Sequence, residues 1–135
     1  MLKRMMKNQK GITLVELLAV IVILGIIALI AVPAIASVID DSRYDSAKAT
    51  AINIIEAAEL YSVTNDLGDG DTVTAATLAS DGYLEGFNED NWTNNEPEVT
   101  INTGSPNTLT GDYNDENIEI SFDGDSIEAI TEMNQ

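Results

Sequence analysis

Neither cysteine nor histidine occurs in the 135 residues. Without cysteine no disulfide can staple a fold, and thiol nucleophiles and thiolate metal sites are excluded. Without histidine, Ser-His and Cys-His catalytic systems are excluded, together with the usual zinc sites. Positive charge is nearly as scarce, with six Lys and Arg against 23 Asp and Glu and a formal charge of −17. Lys3, Arg4, Lys7 and Lys10 all precede Gly11, so residues 12–135 hold only Arg43 and Lys48 against every acid, a formal −21. Such a surface repels nucleic-acid phosphates and suits an extracellular or saline medium, so no direct nucleic-acid binding is expected of it. Acids this numerous also make any carboxylate pair uninformative as a glycosidase signal, and the chain reads as a non-enzyme.

The chain does possess a long apolar run. Leu17 to Ala36 contains no charged residue, and about 20 residues of helix span a bilayer core. Basic residues ahead of such a run hold that end in the cytoplasm and place the residues beyond Pro33 outside. Glu16 stands at the head of the run, where a carboxylate costs up to ~2.5–3.5 kcal/mol at the membrane centre and less near the interface, so its presence needs a reason. An ordinary secretory signal is the competing reading, because Ala34-Ile35-Ala36 before Ser37 fits a small-residue cleavage site. The run is too long for a signal core of roughly 7–15 residues, and it begins with Glu16. Gly25 and Pro33 are weak points of the helix, and Pro33 should kink it between Ala28 and Pro33.

The junction Lys10-Gly11-Ile12-Thr13-Leu14-Val15-Glu16 resembles that of the type IV pilin and pseudopilin family: a basic leader, a glycine, an apolar start, glutamate at the fifth place after the glycine, and an unbroken apolar helix. The resemblance covers residues 1 to about 60, and Pro33 falls where the family commonly bends its helix. It implies cleavage between Gly11 and Ile12 by prepilin peptidase, a membrane aspartyl protease, and N-methylation of Ile12. Glycine suits such a cut because it fits a narrow cleft and adopts conformations closed to other residues. The new α-amine of Ile12 is a cation in or near lipid. Glu16 of the same or a neighbouring chain would neutralise it during subunit assembly, an attraction that strengthens as the dielectric falls. The family's partners are further copies of the chain, a cytoplasmic assembly ATPase and a polytopic membrane platform. Lipid is as apolar as a helix bundle, so packing and the Glu16 pairing must carry association. A single-pass anchored binding protein is the rival of another class, and it gives Glu16 no role.

Beyond the membrane run the pattern changes. Tyr44, Ala47, Ala51, Ile54, Ala58 and Tyr61 recur at three- and four-residue steps, an amphipathic helix with one apolar stripe, with Asp40–Arg43 and Asp45–Lys48 as supporting i, i+3 pairs. Asn65-Asp66-Leu67-Gly68-Asp69-Gly70-Asp71 should end it. Residues 77–84 suit a short helix closed by Gly82. Residues 98–102 and 117–122 alternate as half-buried strands, Asp123-Gly124-Asp125 signals a tight turn, and 126–130 comes next as a partner strand. Trp92 with Phe87 is expected to pin a loop to the core, and Asn91-Trp92-Thr93 fits a glycosylation acceptor triplet. Asp66, Asp69 and Asp71 are weak calcium candidates, since calcium needs six to eight converging oxygens and no run here has EF-hand spacing; solvated turns are the better reading, with no cofactor required.

The expected fold is α+β, a long kinked N-terminal helix packed on a small C-terminal antiparallel sheet. Its expected parts are a removable leader (1–11), a hydrophobic transmembrane and filament-core helix (12–36), an amphipathic helix (37–64) and an acidic β-rich head (65–135). The expected protein is a prepilin, membrane-inserted with its N-terminus cytoplasmic, that polymerises into a surface filament for adhesion, motility or uptake. A pseudopilin of a type II secretion or competence system is the alternative within the family.

Overall fold

The computed structural model describes the backbone of residues 2–93 and 96–134 and the side chains from residue 12 onward. The side chains of the basic leader lie outside the described residues. The elements in order are α1 (Leu2–Asn65), β1 (Thr72–Thr74), α2 (Ala75–Ser80), a 3₁₀ turn (Glu89–Asn91), β2 (Glu98–Thr100), β3 (Thr108–Asp115), β4 (Ile118–Asp125) and α3 (Ile127–Glu132). Two compact units divide the chain, Met1–Ile39 and Asp40–Gln135. The fold is α+β, a long N-terminal helix packed against a small antiparallel sheet.

In the first unit α1 stays helical through Pro33, although proline has no N–H to donate to the carbonyl one turn back. From Ile12 to Ile39 every Ile, Leu and Val is exposed.

In the second unit the remainder of α1 lays its stripe on the sheet. Ala47, Ala51, Ile54 and Ala58 are fully buried, the three alanines allowing close approach. Tyr44 and Tyr61 pack at the stripe's ends as partly buried side chains. Ile55 is buried too, widening the stripe beyond the sequence expectation. It borders the same groove as Ile127 of α3. α1 ends at Asn65, with Asp66 in the left-handed region at φ 51° and Leu67 N–H bonded to the Ser62 carbonyl. α2 begins on the side chain of Thr74 and closes at Asp81, with Gly82 at φ 82°.

The four strands run in the order β1-β2-β3-β4, all pairs antiparallel. Leu109 and Tyr113 of β3 and Ile118, Ile120 and Phe122 of β4 point into the core, where they meet Val73, Leu78, Val99 and Ile130. The sequence pattern did not announce β3, since Gly111, Asp112, Asn114 and Asp115 are poor strand formers. Gly111 belongs there because a Cβ would stand 3.0 Å from the Pro97 Cα and 3.3 Å from the Trp92 ring.

Two expectations are corrected. Asp123-Gly124-Asp125 is no turn: β4 continues to Asp125, and the pairing skips from Thr110↔Asp123 to Leu109↔Asp125. Gly124, at φ 79°, is therefore the extra residue of a β-bulge, a position open to glycine in the left-handed region. The hairpin turn is Glu116-Asn117, with Glu116 at φ 46°. Residues 126–130 are not a strand either. Ser126 caps α3 by accepting from the Ala129 N–H. Ile127 and Ile130, three residues apart, turn to one side of that helix, and Ile130 is fully buried.

Candidate functional site

The residues singled out at the N-terminus lie on one helix. α1 is already helical at Gly11, and Glu16 falls four residues after Ile12, one turn along the same face. Both are exposed. In the intact chain the nitrogen of Ile12 is an uncharged peptide N–H. The Glu16 carboxylate thus stands within one helical turn of the Ile12 nitrogen. Behind it the apolar surface goes all the way round the helix, from Ile12 at 57% exposure to Ile39 at 47%. A helix hydrophobic on all sides is stable only inside lipid or protein. This one is long and apolar enough to cross a membrane. At Gly25 a Cβ would meet nothing within 4 Å, so the glycine answers no packing need inside this chain.

The acidic loop after α1 spends its carboxylates on the backbone. Asp69 accepts from the Thr103 N–H at 2.7 Å and Asp71 from the Gly68 N–H at 2.7 Å, while Asp66 forms the helix cap. The Gly70 N–H reaches the Ile101 carbonyl, and Ile101 N–H returns to the Asp71 carbonyl. Loop and strand end are tied together by carboxylate-to-amide bonds, with Asp66, Asp69 and Asp71 not brought to one point. Among the described residues no group of three or more acidic side chains is arranged to hold a metal ion.

Sequence spacing assigned Arg43 and Lys48 to acids on their own helix, but both reach across the fold. Arg43 Nη1 meets Glu116 Oε2 at 2.7 Å, joining α1 to the β3–β4 turn. That hydrogen bond, and then the charge of Glu116, raises the Arg43 pKa above its ordinary value. Lys48 Nζ donates to the carbonyls of Thr131 at 3.2 Å and Met133 at 2.9 Å, the C-terminal end of α3, where a cation complements the helix dipole. It also lies 5.7 Å from the centre of the Tyr44 ring, and the Tyr44 hydroxyl donates to the Asn134 carbonyl. The only two cationic side chains of residues 12–135 therefore hold the C-terminal half onto the helix. Their scarcity was the available signal, but the partners lie more than 70 residues away.

Trp92 pins its loop as expected, its partners being Tyr113, edge-on at 5.4 Å, and Phe122 at 5.9 Å. Phe87 packs on the core as a partly buried side chain. The Asn91 side chain donates to the Tyr113 hydroxyl at 3.4 Å. Burial, and secondarily Asp115, raises the Tyr113 pKa above 10.0.

Against known proteins, residues 6–32 match a family model described as the prokaryotic N-terminal methylation motif, and the chain thereby carries the type IV pilin and pseudopilin signature. The match spans about a fifth of the chain and includes Gly11, Ile12, Glu16 and Gly25. No curated protein and no solved structure matches the chain. The motif supports a type IV pilin-like or pseudopilin-like protein.

Proposed function

We propose that this chain is a prepilin, cut between Gly11 and Ile12 and N-methylated at Ile12, whose mature form assembles with further copies into a surface filament. The carrying observation is the methylation motif continuous with a helix whose apolar side chains, from Ile12 to Ile39, have no cover in the chain itself. Lipid would cover them before assembly and neighbouring α1 helices afterwards. The residues of the acidic head (65–135) would face outward, where 17 acidic residues and no basic one, a formal −17, keep it soluble. That same charge opposes assembly between heads, so the cationic amine of Ile12 and the carboxylate of Glu16 supply the favourable electrostatic contact in the helix bundle. The assembly ATPase and the membrane platform implied by the motif would supply the work of extraction. Pseudopilins carry the same motif, and the same chemistry would build their shorter fibre.

The test is Glu16→Gln, which keeps size and removes charge. The variant should be processed and membrane-held, as judged by intact mass showing a chain beginning at Ile12, yet yield little or no filament on shearing. Leaving the buried amine without its partner charge costs ~3–5 kcal/mol, ample to stop growth of a polymer held by packing alone. Normal filaments from Glu16→Gln cells would refute the pairing, and a mature chain beginning at Ser37 would refute the cut.

A further inference from the structure

The sheet has two edges of unequal character. β1 is three residues long, too short to template another chain. β4 has eight residues and, among the described residues, pairs only through its β3 side. The two-residue turn at Glu116-Asn117 makes Asp115↔Ile118 a hydrogen-bonded pair, and alternation then gives Tyr113↔Ile120 and Gly111↔Phe122 the same character. The N–H and C=O groups of Glu119 and Ser121 are consequently directed to the open side. Farther along, the edge is blunted in the usual ways: Gly124 forms the bulge, and the Asp123 N–H is taken by the Asp125 carboxylate at 3.0 Å. Among the described residues, only the stretch 118–121 stays open.

A groove of about 440 Å³ runs along that stretch. Tyr44, Ile118 and Ile120 line it, the two isoleucines largely buried, together with Asp40, Glu119 and Asn134. Asp40 and Glu119 are acidic, and Arg43, the nearest cation on the helix, is already bound to Glu116.

We infer that the open edge of β4 is a strand-addition site for an extended segment of another protein in which apolar and basic residues alternate. Main-chain groups of the segment pair with Glu119 and Ser121. Its apolar side chains extend the buried layer of Ile118 and Ile120 beside Tyr44, and its basic ones answer Glu119 and Asp40. Strand addition of this kind draws affinity from the ladder and selectivity from alternate side chains. A second copy of this chain is the wrong occupant. Its β4 carries Glu119, Asp123 and Asp125 and no cation, so pairing of two β4 edges sets like charges against each other. The inference stands whether or not the chain polymerises.

The test uses the full chain in detergent micelles and a fluorescein-labelled octapeptide of alternating Val and Lys. Fluorescence anisotropy should show saturable binding, about tenfold or more tighter than for the same peptide with a central proline, which interrupts the ladder. An alternating Val and Glu peptide should not bind. Ser121→Pro removes an outward N–H and should weaken binding about tenfold. Ser121→Ala controls for the lost hydrogen bond from Ser121 to Asp112, 2.6 Å in the native chain, and should bind normally. Should the proline variant fail to fold, the pair Asp40→Asn with Glu119→Gln tests the same site and should also weaken binding. Equal binding of the interrupted peptide would reduce the interaction to charge alone and overturn the inference. So would absence of saturable binding, or association of the chain with itself, without peptide, that Ser121→Pro abolishes.

Discussion

Ile23 and Ile54 sit on the same helix with opposite fates: Ile23 is 56% exposed, while Ile54 is fully buried. Around Ile23 every neighbour is apolar, so no rotation of the helix gives water a polar face. Around Ile54 the apolar positions form one flank, with Asp45, Glu56 and Glu59 exposed elsewhere. The second arrangement is satisfied by about 70 residues of the same chain, a sheet and two short helices. The first can be satisfied only from outside. In one helix the protein thus divides intramolecular folding from intermolecular burial, and the boundary between its compact units falls at Ile39 and Asp40, where charged residues begin.

The largest test of that division pairs a cavity in each part. Phe122→Ala removes a ring that is 1% exposed and touches Trp92, and should cost ~3–5 kcal/mol on chemical denaturation of the head monitored by tryptophan fluorescence. Ile23→Ala should leave that transition unchanged and should instead lower filament yield. If Ile23→Ala shifts the head's denaturation midpoint, the two parts do not fold independently.

Next in size is a pair of glycines. Gly111→Ala drives a methyl into the Pro97 backbone at 3.0 Å, an overpacking that should cost ~1–3 kcal/mol. Gly25→Ala meets nothing and should strengthen the helix by ~0.5–1 kcal/mol. A filament that tolerates Gly111→Ala in its subunits but fails with Gly25→Ala would show that Gly25 is reserved for close approach of a neighbouring helix.

The smallest expected effect belongs to the clamp. Arg43 and Glu116 have side chains 33% and 69% exposed, so Arg43→Met should destabilise the head only slightly, with the difference from wild type shrinking as salt is added. A loss that persists at high salt would mean that the guanidinium stem, rather than its charge, holds the β3–β4 turn to the helix.

Residues 12–65 were legible because their signals are local. An uncharged run states its own length, a stripe at three- and four-residue steps states its own face, and Asn65 to Asp71 is rich in residues that stop helices. The junction at Gly11 is likewise contiguous, so the motif could be read without a fold. The sequence by itself determined one long helix, its two regimes of burial, its end, and a small acidic β-rich cap. The tertiary structure decided the rest. β3 is a strand because β2 and β4 flank it and Pro97 leaves room only for glycine at position 111, although its own residues favour turns. Gly124 is a bulge because the β3 register skips there, a fact about two strands that neither carries alone. Residues 127–132 became a helix once Ser126 capped them and Ile130 found the core. Arg43 and Lys48 found partners beyond 70 residues of chain, because in a head so short of positive charge the free carboxylate and carbonyl groups brought nearest by folding, and not those nearest in sequence, compete for each cation.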